Sequence, residues 1–164
     1  MFKHSALTLA IVGSTALTGC VPDHTSISKS RLEEKVQTLF PQQKLGLKAD
    51  KPTLTLRPAQ QTLELCVNVT PVQKLLSFDG EVCAESGLGW QKELREIRLI
   101  APRLTRLKMN GNENSVTQVL RQTANLFVQQ NFDQLPIYTA TEWGAGLVDH
   151  FEIRDDSVRI HLKP

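Results

Sequence analysis

Between Thr62 and Thr70 the chain reads TLELCVNVT, and Leu63, Leu65, Val67 and Val69 alternate there with polar or sulfur-bearing residues. Strict alternation sends successive side chains to opposite faces, so this stretch predicts a β-strand with one apolar face. A second stretch, GEVCAES from Gly80 to Ser86, sets Val82 and Ala84 on one face and Glu81, Cys83 and Glu85 on the other. Cys66 therefore shares a polar face with Glu64 and Asn68, and Cys83 sits on the polar face of its own strand. If the strands are neighbours, both sulfurs face the same way. The readings open at this point are a disulfide and a pair of free thiols, and the shared face favours the disulfide. Metal ligation needs more donors close by, and the sequence supplies none near either cysteine.

The remaining segments fall around these strands. SISKSRLEEKVQTLFP predicts a first helix, with Ser30 and Glu33 as a capping box and Leu32, Val36, Leu39 and Phe40 on one face. Pro41 ends it. TLTLR (Thr53 to Arg57) predicts a strand with Leu54 and Leu56 inward, and ELREIRLIAPRLTRL a strand with Ile97, Leu99 and Ala101 on one side. Pro102 within it marks a bulge or an edge. The turn cluster NGNENS then precedes a second helix, VTQVLRQTANLFVQQNF, whose stripe is Val116, Val119, Leu120, Thr123 and Phe127. The closing HFEIRDDSVRIHL predicts a hairpin turning at Asp155-Asp156. Helix, three or four antiparallel strands, long helix, two strands: this order predicts an α+β fold. In it a curved antiparallel sheet packs on a long amphipathic helix, with an N-terminal helix beside it.

The N-terminus carries an address. Lys3 precedes the apolar or small run ALTLAIVGSTAL, and no acid appears before Asp23. A charged start and a short apolar stretch form a secretory signal, whereas a spanning helix needs about 20 apolar residues. The run ends in Leu-Thr-Gly-Cys, which resembles the bacterial lipobox, so Cys20 is expected to carry a diacylglyceryl group after cleavage behind Gly19. Two or more acyl chains, palmitate or similar, hold a protein stably to a bilayer. Val21 follows in place of the aspartate that retains enteric lipoproteins at the inner membrane, which points to the periplasmic face of the outer membrane. The expected divisions are a lipoprotein signal peptide over 1–19, a lipidated tether over 20–27 and a single α+β domain over 28–164. A periplasmic address permits disulfides.

With the lipobox, the LFP ending of the first helix, the RLIAPRLTRL strand, the LPIY segment at Leu135 to Tyr138 and the closing apolar strand, the chain resembles the YceB-like bacterial lipoproteins. The likeness covers nearly all of the mature chain, and it departs from the family in its strand cysteines and in the glycine-bearing loop after Tyr138. The resemblance implies a small relative of the tubular lipid-binding fold, with an apolar cleft for acyl chains. The expected lining is Leu54, Leu65, Val67, Ile97, Leu99, Val116, Leu120, Phe127 and Tyr138. A non-enzymatic scaffold in envelope assembly, touching an envelope protein partner, is the alternative.

Other chemistries find little here. Cleavage after Gly19 removes Lys3 and no acid, taking the formal net charge from +2 to +1. Such balance argues against a nucleic-acid partner, which calls for a basic face. His24, His150 and His161 are scattered without the spacing of a zinc site, and no metal or other cofactor is expected. Asp149-His150 has no serine in a strained elbow beside it, so no catalytic residue is assigned and no enzyme is expected. Arg95, Arg98, Arg103, Arg106 and Lys108 alternate with apolar residues as a solvated strand face. Trp143, among small residues, is a candidate for a cleft mouth or a membrane interface and equally for a packed surface position.

Overall fold

The two cysteine-bearing segments are adjacent strands, as their alternation predicts. The computed structural model describes residues 23–73, 78–111, 117–141 and 148–163. Along them run β1 (His24–Ser28), α1 (Lys29–Thr38), β2 (Gln42–Lys44), β3 (Leu47–Arg57), β4 (Thr62–Pro71) and β5 (Gly80–Gln91). They are followed by β6 (Glu96–Met109), α2 (Gln118–Phe132), β7 (Pro136–Thr139), β8 (Val148–Ile153) and β9 (Ser157–Leu162). The strands form a six-stranded sheet, β2-β3-β4-β5-β6-β7, and a three-stranded sheet, β1-β9-β8. Every pairing is antiparallel.

This corrects the expected architecture. Strands hold 56% of the described residues and helices only 20%. The protein is mostly β, with two short helices and a curled six-stranded sheet, and is not a sheet laid on a long amphipathic helix. The curl has a local cause. An extra residue breaks the β3–β4 register between Asp50 and Thr53, and the β5–β6 register shifts twice. Thr105 is the surplus residue at the first of those shifts, and Ala101-Pro102 face the single Ser86 at the second. Bulges bend a strand and sharpen its twist. Lys51 and Ala101 take positive φ there, 48° each. Pro102 thus lies in a bulge, one of the places its ring allows.

The inner face of the curl is the core. Leu54, Leu63, Leu65, Val67, Val82, Ile97 and Leu99 are buried on it. α1 closes one side, its Leu32 and Val36 buried one turn apart, and touches both β3 and β7 from near opposite ends of the sheet order. Its cap is Ser28, whose Oγ accepts from the Arg31 amide at 3.4 Å, not the Ser30–Glu33 box. Residues 24–27, assigned by the sequence reading to the tether, belong to β1 and pair with β9. The hairpin forms as expected, with the Arg154 amide donating to the Ser157 carbonyl at 2.9 Å across Asp155-Asp156. Gln61 clamps it to the larger sheet. Its Oε1 accepts from the Ile153 amide at 2.8 Å, and its Nε2 donates to the Ile153 carbonyl at 3.0 Å.

α2 starts at the Thr117 cap, whose Oγ1 accepts from the Leu120 amide at 3.3 Å. Its buried face is Ala124, Phe127, Val128, Asn131 and Phe132. The expected stripe is therefore turned: Phe127 is buried, but Val119 is 70% exposed. Full burial is confined to the helix from Ala124 onward, with Leu120 partly buried against the core, and the packing is mainly on β6. The face assignment is testable. Phe127→Ala should cost about 3–5 kcal/mol in chemical denaturation, whereas Leu126→Ala, one residue away and 59% exposed, should stay within about 0.5 kcal/mol.

Candidate functional site

Because the first turns of α2 are not fully buried, an opening remains beneath them. There the ends of four strands meet the helix around an apolar cavity of about 190 Å³. Leu47 comes from β3, Val69 from β4, Val82 from β5 and Leu107 from β6, while Leu120 and Phe127 reach in from α2. Alternation on each strand supplies these residues, and the curl brings the strand ends together. The volume lies between the 150 Å³ or so that accepts benzene in an engineered core and the roughly 300–1,000 Å³ of drug-sized sites. It suits the end of an acyl chain or one apolar side chain.

Leu45, 54% exposed, belongs to the lining, so the rim is apolar there as well. Val72, 48% exposed, and Val119, which precedes Leu120 in α2, are further exposed apolar residues. Val72 is held beside Leu45 by its amide, which donates to the Gly46 carbonyl at 2.9 Å. Leu45 and Gly46 form the two-residue turn between β2 and β3, with φ of 55° and 72°. Such a turn needs positive φ at both positions and favours Asn-Gly or Asp-Gly. A leucine there is strained by its Cβ and exposed to water.

The expected lining residues divide in the structure. Leu120 and Phe127 line the cavity. Leu54, Leu65, Val67, Ile97 and Leu99 instead pack as solid core, each 3% exposed or less, so the opening between helix and sheet does not extend to them. Tyr138 faces a different groove, beside Arg31 and Lys35 of α1. Cys20, Val116 and Trp143 lie outside the described residues. The sequence reading missed Leu45, Leu47 and Val69 as cavity or rim positions. Leu45-Gly46 was the available signal, a turn pair with leucine where asparagine belongs.

Cys66 and Cys83 are direct cross-strand partners and form a disulfide, with Cα atoms 4.0 Å apart. A closed loop of this size stabilises a fold by about 3 kcal/mol in the chain-entropy model. The surrounding face is less solvated than expected. Arg106 Nη2 donates toward Cys83 Sγ at 3.1 Å, and its Nε donates to Glu81 at 3.1 Å. Glu64 is only 6% exposed and accepts from Arg57 Nη2 at 2.8 Å and from Thr105 Oγ1 at 2.9 Å. Burial works to raise its pKa, but the hydrogen bonds from Arg57 and Thr105 and the charges of Arg57 and Arg106 hold it below the usual carboxylate range. This cluster braces the sheet. The scattered histidines are also gathered: His24 and His150 both stand opposite His161 in the three-stranded sheet.

No family model and no curated protein matches this chain.

A lowered folded pKa means that Glu64 contributes stability above its unfolded value, which is lost as pH falls through the folded one. Glu64→Gln should therefore cost on the order of 1 kcal/mol at pH 7, the half-exposed Arg57 limiting the loss. The gap to the parent protein should narrow progressively below about pH 4. Urea denaturation across that range checks it; a gap independent of pH would assign the loss to packing alone.

Proposed function

We propose that this chain is a lipid-anchored protein of the bacterial envelope that holds the end of an apolar chain in the cavity under α2. The observation that carries the reading is the cavity itself, apolar at its lining and at its rim. Burial there is favourable at about 25 cal/mol per Å² of apolar surface. Contiguous apolar surface exposed on a folded protein marks an interaction site. The anchor rests on the LTGC box and the charged and apolar segments before it. The absence of aspartate after Cys20 supports the outer membrane, with the folded part in the periplasm.

The geometry gives the reading a direction. β1 begins at His24, so Cys20 lies at most about 14 Å of extended chain from the small sheet. The cavity is elsewhere. Val82 lines it, whereas Leu88 and Trp90, at the other end of β5, line the cleft against β8. Eight residues of strand span about 26 Å. The cavity thus lies at the end of β5 opposite the cleft against the small sheet, which under the anchor reading supports a site on the side of the domain away from the lipid. Exposed Leu45, with Val72 hydrogen-bonded beside it, favours a second reading, in which a partner protein inserts an apolar side chain.

Two experiments follow. Produced with its own N-terminus, the protein should fractionate with membranes and have an intact mass that starts at Cys20 with added diacylglyceryl. Cys20→Ala should remain uncleaved or become soluble. A full-length, unlipidated native chain would end the anchor reading. For the cavity, native mass spectrometry of the detergent-extracted protein should show a retained or added fatty acid beyond the covalent lipid. Leu120→Trp, which fills the cavity from a half-exposed position, should weaken that binding at least tenfold (about 1.4 kcal/mol or more) with little change in thermal midpoint. Fatty-acid binding unaltered by Leu120→Trp, or none at all, would leave the partner-protein reading in front.

A further inference from the structure

Three histidines that lie far apart in the sequence form one row on the small sheet. His161 is on β9, the middle strand, and its cross-strand partners are His24 on β1 and His150 on β8. Direct partners project from the same face, so all three imidazoles stand side by side. His150 and His161 stack with centroids 4.2 Å apart and planes 7° from parallel. His24 lies 6.2 Å from His161. Their side chains are 42%, 59% and 29% exposed for His24, His150 and His161, open to an ion from solvent.

Each ring also has its own carboxylate. Asp23 accepts from His24 Nδ1, Asp149 from His150 Nδ1 at 2.8 Å, and Glu152 from His161 Nε2 at 3.0 Å. A carboxylate can only accept, so in the neutral ring the proton sits on the nitrogen facing it. The lone pair is left on the other nitrogen: Nε2 of His24, Nε2 of His150 and Nδ1 of His161. Among the described residues none of these three nitrogens has a protein partner. Carboxylates bonded to the far nitrogen are the usual second layer of histidine metal sites, where they fix the tautomer and raise ligand basicity.

We propose that His24, His150 and His161 bind a divalent transition-metal ion of the kind that prefers imidazole, Zn²⁺ or Cu²⁺. As the rings stand, no group of three His, Cys, Asp or Glu side chains among the described residues is placed to hold a metal ion. Two rings are stacked and must turn about their side-chain bonds to converge. The strands need not move. Cross-strand Cβ atoms lie about 4.5–5.5 Å apart, so the ring nitrogens beyond them can close to the roughly 3–4 Å separation that two metal–nitrogen bonds of about 2.0–2.1 Å span once the rings lean together. His161, in the centre, takes the ion with His150, and His24 closes from the other side. Three nitrogen donors leave a coordination position for water or an exogenous ligand.

The test uses the full chain without a polyhistidine tag, extracted in detergent and stripped with a chelator. Titrated with ZnCl₂ in a calorimeter, it should saturate at one equivalent. One equivalent of CuSO₄ should give an electron paramagnetic resonance spectrum with imidazole-nitrogen couplings. His161→Gln should weaken Zn²⁺ binding at least tenfold, and Asp149→Asn, which touches no metal, by about 10–100-fold. Should His161→Gln fold poorly, His150→Gln at the most exposed of the three positions gives the same reading. No saturable binding, or binding equal to the parent in both histidine variants, overturns the proposal.

Discussion

The pairing of β4 with β5 is the constraint on which the other contacts depend. Side chains alternate with a period of two, so a slip of one residue would turn the core face of either strand to water. In the observed register Leu65 faces Ala84 and Val67 faces Val82, all buried, while Cys66 faces Cys83 on the other side. Apolar burial on one face and a covalent bond on the other select the same alignment. Around this fixed pair, the bulges in β3 and β6 bend the outer strands inward, and α1, α2 and the hairpin cover the concave side.

What the sequence made legible is what short-range chemistry decides. Alternation located the cysteine strands and their shared face. Leu32 and Val36 located the buried side of α1, and Asp155-Asp156 located the last turn. The fold class was not legible, for identifiable reasons. β2 and β7 are three and four residues long, too short for a period to register. β1 looks like linker because its partner strand lies at the far end of the chain. The bulge at Ala101-Pro102 was legible in its proline, but how far the bulges at Lys51, Ala101 and Thr105 together curl the sheet was not. In α2, apolar residues occur nearly all the way round, from Val119 and Leu120 to Leu126 and Phe132. Which arc is buried was then decided by the strand that received it.

The candidate sites show the same division. A search for ligands at short spacing finds nothing in three isolated histidines. Yet a two-residue turn at Asp155-Asp156 pairs residues outward one by one and brings His150 opposite His161, so that pair was within reach of the hairpin assignment. His24 was not, since nothing local announces that β1 pairs with β9. The expected lining failed differently. It treated the middle of the sheet as the ligand face, where closure by two helices and a hairpin leaves no room. Among the described residues of that lining, only Leu120 and Phe127 lie near enough to the open strand ends to line a void.

Leu45 separates a leftover gap from a built site. An imperfectly filled end of a curled sheet needs no special residues around it, and polar side chains would cover it at less cost. Here the nearest turn holds a leucine in a left-handed conformation, half exposed, with Val72 hydrogen-bonded alongside it. Asparagine would relieve the backbone and aspartate would add solubility, so the position bears two penalties with no return inside the fold. Strain of this kind persists where something outside the local structure compensates it. Under the proposed function, an apolar occupant seated in the cavity and lying against Leu45 and Val72 would supply that compensation. The cavity's place at the end of β5 opposite Leu88 and Trp90 would leave it reachable from the side away from the small sheet.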